Sequence, residues 1–203
     1  MSKKLIIAII ALTMVFSCLV GATVAYLFVK TTPVTNTFSP SNIDLTLTET
    51  ERTYQMVPGV VLAKDPKVTV TSDIVSYVFV KIEESDNFDT YMTYAIADGW
   101  ELLNTTTGEA TEIAAGTDLD GTYFLFREVA AGGGEFGILA NNEVTVLRTV
   151  TKADMEPLYD DNDNVDEANQ PKLTFTAYAI QKAGFEDDLA QAWNEAQGQP
   201  SNP

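Results

Sequence analysis

An all-β protein, an antiparallel sandwich closed by a short C-terminal helix, is what this sequence predicts, and three observations carry the prediction. Apolar and polar residues alternate with period two where Ile43, Leu45 and Leu47 interleave with Asp44 and Thr46, and again across residues 172–181. Residues 76–82, Ser-Tyr-Val-Phe-Val-Lys-Ile, are β-branched and aromatic and apolar on both faces until Lys81, as a central strand packed on two sides must be. Helical spacing is confined to the end of the chain, where Phe185, Leu189 and Trp193 fall at i, i+4 and i+8 beside Ala192 and Ala196. Seven or eight strands with turn residues between them and little helix point to a sandwich of jelly-roll or immunoglobulin-like type. No period of about 20 to 50 residues recurs, so no repeat architecture is expected.

In chain order, residues 1–25 read as a signal peptide. Lys3 and Lys4 form a short basic start, and residues 5–20 are apolar apart from Thr13, Ser17 and Cys18. The small residues Thr23 and Ala25 suit the specificity pockets of a signal peptidase and place the cut before Tyr26. An uncleaved anchor is the alternative, because residues 5–29 exceed the roughly 20 that span a bilayer. A lipoprotein reading on Val15-Phe16-Ser17-Cys18 is weaker, since Phe16 is bulky and the chain stays apolar after Cys18. Residues 26–41, Thr-rich with Pro33 and Pro40, are expected to be an extended arm. Residues 42–196 form the sandwich with its helix, and residues 197–203 a frayed tail.

Within the sandwich, Pro58-Gly59 and Lys64-Asp65-Pro66 read as turns, and Val68 and Val70 begin a strand. Residues 91–97 and 100–103 flank Asp98-Gly99 and read as a hairpin. Residues 122–129 and 144–150 supply further strands, separated by a flexible turn at Gly132-Gly133-Gly134. The stripe of Phe185, Leu189 and Trp193 is expected to cap the core, contact with a partner being the alternative.

Composition narrows the function. Removing residues 1–25 from 203 leaves 178, enough for one domain burying about 70% of its unfolded surface. Loss of Lys3 and Lys4 takes the formal charge from −17 to −19. Such a surface repels nucleic acid and anionic head groups and favours solubility. The single cysteine, Cys18, lies in the signal, so the mature chain forms no disulfide despite export. Histidine is absent, which removes the commonest general base and metal ligand.

Two clusters invite a chemical reading. Asp160, Asp161, Asp163, Asp166 and Glu167 interleave with Asn162 and Asn164. Asp160, Asn162 and Asn164 fit the first, third and fifth positions of a calcium loop, but Val165 stands where Gly is required and Pro171 where a bidentate Glu belongs. A solvated acidic loop is the expectation, calcium its alternative, and no other cofactor is expected. Tyr91, Tyr94 and Trp100 suggest a sugar-stacking platform, against which stands the commoner use of strand aromatics as core. No catalytic or metal residue is assigned.

The stretch Gly21-Ala22-Thr23-Val24-Ala25-Tyr26, then Val34-Thr35-Asn36-Thr37-Phe38, then the alternating strand from Ile43 to Glu49, resembles the TasA/camelysin family of exported matrix proteins. Phe28-Val29-Lys30 replaces the usual Ser/Thr-Asp, and Ser41 stands where Gly is common. The resemblance continues through Val57-Pro58-Gly59 and residues 64–70 into residues 77–82. It implies a jelly-roll-like sandwich, export through the dedicated signal peptidase SipW, and no stable membrane association after cleavage. It also implies a structural role as a subunit of extracellular matrix or surface fibres, with itself or related subunits as partner. The candidate polymerisation arm carries Leu27, Phe28 and Phe38, which would add to a neighbour's sheet as a strand. The family also bears a metallopeptidase label, but with no His and no mature Cys this sequence lacks the ligands and bases of that chemistry, and a non-enzyme is expected. A secreted peptidase and a monomeric adhesin or ligand-binding module are the alternatives.

Overall fold

The computed structural model describes residues 2–26, 41–51, 54–114, 117, 119, 121–162 and 164–198, with side chains of residues 15–26 outside that description. The chain divides into two compact units, residues 1–39 and 40–203. In the first, α1 (Lys3–Tyr26) runs for 24 residues, about 36 Å at 1.5 Å per residue. Among the described residues no helix is long and apolar enough to cross a membrane.

The second unit is mostly β, and all its pairings are antiparallel. Its strands are β1 (Ile43–Thr48), β2 (Val61–Ala63), β3 (Lys67–Ser72), β4 (Ser76–Glu84), β5 (Met92–Thr93) and β6 (Glu101–Leu103). They continue with β7 (Ala110–Glu112), β8 (Thr122–Val129), β9 (Gly134–Gly137), β10 (Glu143–Val146) and β11 (Leu173–Gln181). The helices are the single turns α2 (Phe88–Tyr91) and α3 (Lys152–Met155), and α4 (Leu189–Gln197).

One layer is a five-stranded sheet in the order β11-β4-β8-β6-β7. The remaining strands form two three-stranded sheets, β1-β3-β9 and β2-β10-β5. Backbone hydrogen bonds join these end to end. Lys64 N donates to Asn142 O at 2.8 Å, Ile138 N to Pro66 O at 3.0 Å, Ala97 N to Ile138 O at 2.9 Å and Ala140 N to Ala95 O at 2.8 Å. They are therefore halves of one bent layer, in which β2 and β3 are a single run interrupted at Pro66. The bend has a local cause: Pro66 brings no donor, and Asn141 and Asn142 opposite adopt φ of 56° and 57°, a region Asn tolerates.

The core fills the space between the layers. Val68 and Val70 of β3 meet Val78, Val80 and Ile82 of β4 and Leu125 of β8, all essentially inaccessible to water. Alternate residues of the same strands, Tyr77, Phe79 and Phe126, face the other way and pack under α4, where Ala192, Trp193 and Ala196 cover them. This is why residues 76–82 are apolar on both faces. The predicted stripe caps the sheet as expected, with Asp188 Oδ1 accepting from Gln191 N at the helix start.

Four sequence-based expectations are corrected. Residues 91–97 and 100–103 do not pair as a hairpin: β5 joins β10, while β6 joins β7 and β8. Asp98-Gly99 is a turn, with Gly99 at φ 82°, but it carries the chain from one layer to the other. Lys64-Asp65-Pro66 does not reverse the chain; it is the bend within the ladder just described. Strand pairing of residues 144–150 ends at Val146, and the glycine segment is not merely a turn, since Gly134 opens β9 on the edge of β3. Pro58-Gly59 is a turn as read, with Val60 N donating to Val57 O at 3.0 Å and Gly59 at φ 79°.

Candidate functional site

A cleft of about 830 Å³ lies beside the first residues of β11. Met56, Leu62, Phe88, Met92, Met155 and Leu158 give it an apolar lining, and Val57, Tyr159 and Val165 at its mouth are about half exposed. Its polar groups are largely committed to holding the wall. Lys64 pairs with Glu49 at 2.5 Å, and Tyr54 Oη donates to Glu51 O at 2.6 Å. Burial and the carboxylate of Glu49 push the Tyr54 phenol up to about 12. Gln170 Nε2 donates to Leu158 O at 2.8 Å and to Asp166 O at 3.2 Å. The lining is mostly apolar, and its Tyr54 hydroxyl, at 3.2 Å, and Lys64 ammonium both meet the carboxylate of Glu49.

The acidic loop is closed on itself. Asp160 Oδ1 accepts from Asn162 N and Asn164 N, both at 2.8 Å, and Asp160 N donates to Asn164 O at 2.7 Å. Those amides, with the Asn164 side chain, hold the Asp160 carboxyl below the usual carboxylate range. Asp160, though exposed, thus spends much of its acceptor capacity on its own loop. Among the described residues, which exclude Asp163, no group of three or more acidic side chains is arranged to hold a metal ion.

Tyr91 and Trp100 follow the core reading of these aromatics and not the sugar-platform alternative. Tyr91 and Trp100 are each 4% exposed and belong to the core. Tyr91 Oη donates to Asp154 O at 2.7 Å, and Trp100 Nε1 to Gly137 O at 2.8 Å. Their polar tips are anchored inside, so no stacking surface for a sugar is formed.

Two arrangements escaped sequence reasoning. Tyr94 hydrogen-bonds both Glu84 and Tyr123 in a half-buried chain of two phenols and a carboxyl, and burial raises both phenol pKa values. Arg127 lies over the rings of Phe136, 4.5 Å to the centroid, and Trp100, 5.3 Å, and burial lowers its pKa. The one available signal was an arginine at the end of the aromatic run 123–126, which on a strand reads as edge or core with equal ease. Both arrangements tie loops to the sheets.

Of the cleavage residues, Thr23, Ala25 and Tyr26 stand in the last turns of α1. Leu27, Phe28 and Phe38 of the arm lie outside the described residues. No family model matches the chain, and no curated protein or solved structure matches it significantly.

Proposed function

We propose that the protein is an exported, non-enzymatic structural subunit of extracellular matrix or cell-surface fibres, joined to its neighbours through residues 26–41. The observation that carries this reading is the division of the chain. An apolar N-terminal unit, with Leu5, Ile7, Leu12 and Met14 each at least half exposed, precedes a β unit whose first strand begins at Ile43. That layout suits a segment removed on export, an arm released by its removal, and a sandwich to receive it.

The fold within this proposal is a jelly roll. Its support is the nesting of pairs: β2 with β10, β3 with β9, β4 with β8 and β6 with β7, the pattern of one long hairpin rolled across two layers. Tyr26 to Ser41 adds to a neighbour's sheet in short stretches, because Pro33 and Pro40 each remove a donor.

Two measurements test the reading. Intact mass of the exported form is expected to begin at Tyr26 or the next residue; a mass retaining residues 1–25 means an anchor. Negative-stain microscopy of the mature protein is expected to show fibres that lengthen with added salt, as screening relieves the repulsion between subunits of charge −19, the −17 of the chain less Lys3 and Lys4. A variant lacking residues 26–40 is expected to form none. Equal behaviour of the two proteins overturns the arm as connector and favours the adhesin reading.

A further inference from the structure

Sheet edges differ in how well they are guarded, and one edge here is unguarded. The five-stranded layer ends in β7 and β11, and the two halves of the bent layer end in β1 and β9 and in β2 and β5. β7 has three residues and carries Glu112, β5 has two, β2 has three, β9 has four with Glu135 among them, and β1 carries Asp44. β11 has nine residues, Leu-Thr-Phe-Thr-Ala-Tyr-Ala-Ile-Gln, without a charge, a proline or a glycine. In a chain of net charge −17 this is a long edge from which carboxylates are left out, and long uncharged edges are templates for another strand.

Ladder parity identifies the unpaired groups. Ser85 N donates to Lys172 O and Lys182 N to Val75 O, each at 3.0 Å. The even-numbered residues of β11 therefore exchange bonds with β4, and the N–H and C=O of Leu173, Phe175, Ala177, Ala179 and Gln181 point away from it. Among the described residues no backbone group takes them, including those of β1, which runs alongside in the other layer.

We propose that β11 is a homotypic pairing edge: a second copy of this chain adds its own β11 antiparallel, with the two-fold axis at Ala177, joining two five-stranded sheets into one. The strand is self-complementary in this register. Leu173 meets Gln181, Phe175 meets Ala179 and Ala177 meets itself, so every residue with unpaired groups faces another such residue, whereas a slip of one residue sets unpaired groups against committed ones. On the outer face Thr174 faces Ile180 and Thr176 faces Tyr178, with no like charges opposed. Beyond each end Lys172 faces Lys182, which Glu128 already neutralises at 2.9 Å. Self-complementarity and the lack of charge favour a second copy over an unrelated strand, because elsewhere two such acidic surfaces repel. The interface is isologous and closes at two subunits. It does not depend on the arm, so a variant lacking residues 26–40 keeps it.

Sedimentation velocity of the full chain in density-matched nonionic detergent tests this, with two variants. Ala177→Pro removes an N–H that makes no bond among the described residues and leaves the β4 ladder intact. Thr176→Lys places two lysines diagonally across the two-fold axis. The wild type is expected to dimerise at micromolar concentration, and both variants to raise the dimer Kd at least tenfold with unchanged far-UV circular dichroism. If Ala177→Pro unfolds, Thr176→Lys decides. A wild type that stays monomeric throughout, or folded variants that still dimerise, overturns the proposal.

Discussion

Replacing Gly133 by Ala is expected to destabilise the β unit by about 3 to 5 kcal/mol, whereas the same change at its neighbour Gly132 costs about 1 to 2 kcal/mol. Both residues have positive φ, 99° at Gly132 and 73° at Gly133, so both substitutions incur the backbone strain of a left-handed conformation. They differ in surroundings. A Cβ at Gly132 meets nothing within 4 Å. At Gly133 it lands 1.9 Å from Val70 O and 2.8 Å from Val70 C, in the backbone of β3, which has no rotamer with which to yield. Relief requires pushing β3 away from the segment that leads into β9, and Val70 is a core residue 2% exposed. Urea unfolding of both variants, read as midpoints with a common slope, checks the difference. Equal losses at the two positions would show that strain alone matters and that the close approach is unimportant.

Trp193→Ala is expected to cost a comparable amount, about 3 to 5 kcal/mol, as large-to-small substitutions of buried aromatic residues do. Trp193 is 4% exposed, and its ring lies 4.8 Å from that of Phe124, 5.1 Å from Tyr178 and 5.5 Å from Phe79. Each of those residues comes from a different strand of the five-stranded sheet, so one side chain ties β8, β11 and β4 under α4. Its removal leaves a cavity that the short helix cannot fill by settling, since Ala192 and Ala196 are already in contact with the sheet. Trp193→Phe retains part of the ring packing and is expected to lose less than half as much. Thermal and urea unfolding measure both, with Trp100 as the remaining fluorophore. A loss below about 1 kcal/mol for Trp193→Ala would mean that α4 is dispensable and that the outer face of the sheet is stable in water.

These two positions also mark where sequence reasoning succeeds and where it stops. Trp193 was legible because a helical stripe of large apolar residues has one use in a β protein, to cover a sheet face, and the double-sided apolar run at residues 76–82 requires such a cover. The alternating residues 43–47 and 172–181 were legible for the same reason: period two with one apolar face leaves a strand few other roles. Gly133 looked like a spacer within a flexible turn, because nothing local distinguishes a glycine that crosses a neighbouring backbone from one that faces open space.

By itself the sequence determined the antiparallel β class, the central strand, the capping helix, the acidic composition without histidine, and the separation of an apolar N-terminal segment from a folded β unit. These follow from periodicity and composition, which act over a few residues or over the whole chain. Tertiary structure decided which strand pairs with which. Asp98-Gly99 is turn chemistry in either topology, and only the ladders of β5 with β10 and of β6 with β8 show that it changes layers. It also decided that Tyr91 and Trp100 point inward, that Pro66 bends a ladder instead of ending one, and that β11 is an edge. A strand's own residues look alike whether one neighbour or two lie beside it, because hydrogen-bonding partners come from segments up to about a hundred residues away, and no local pattern encodes their arrival.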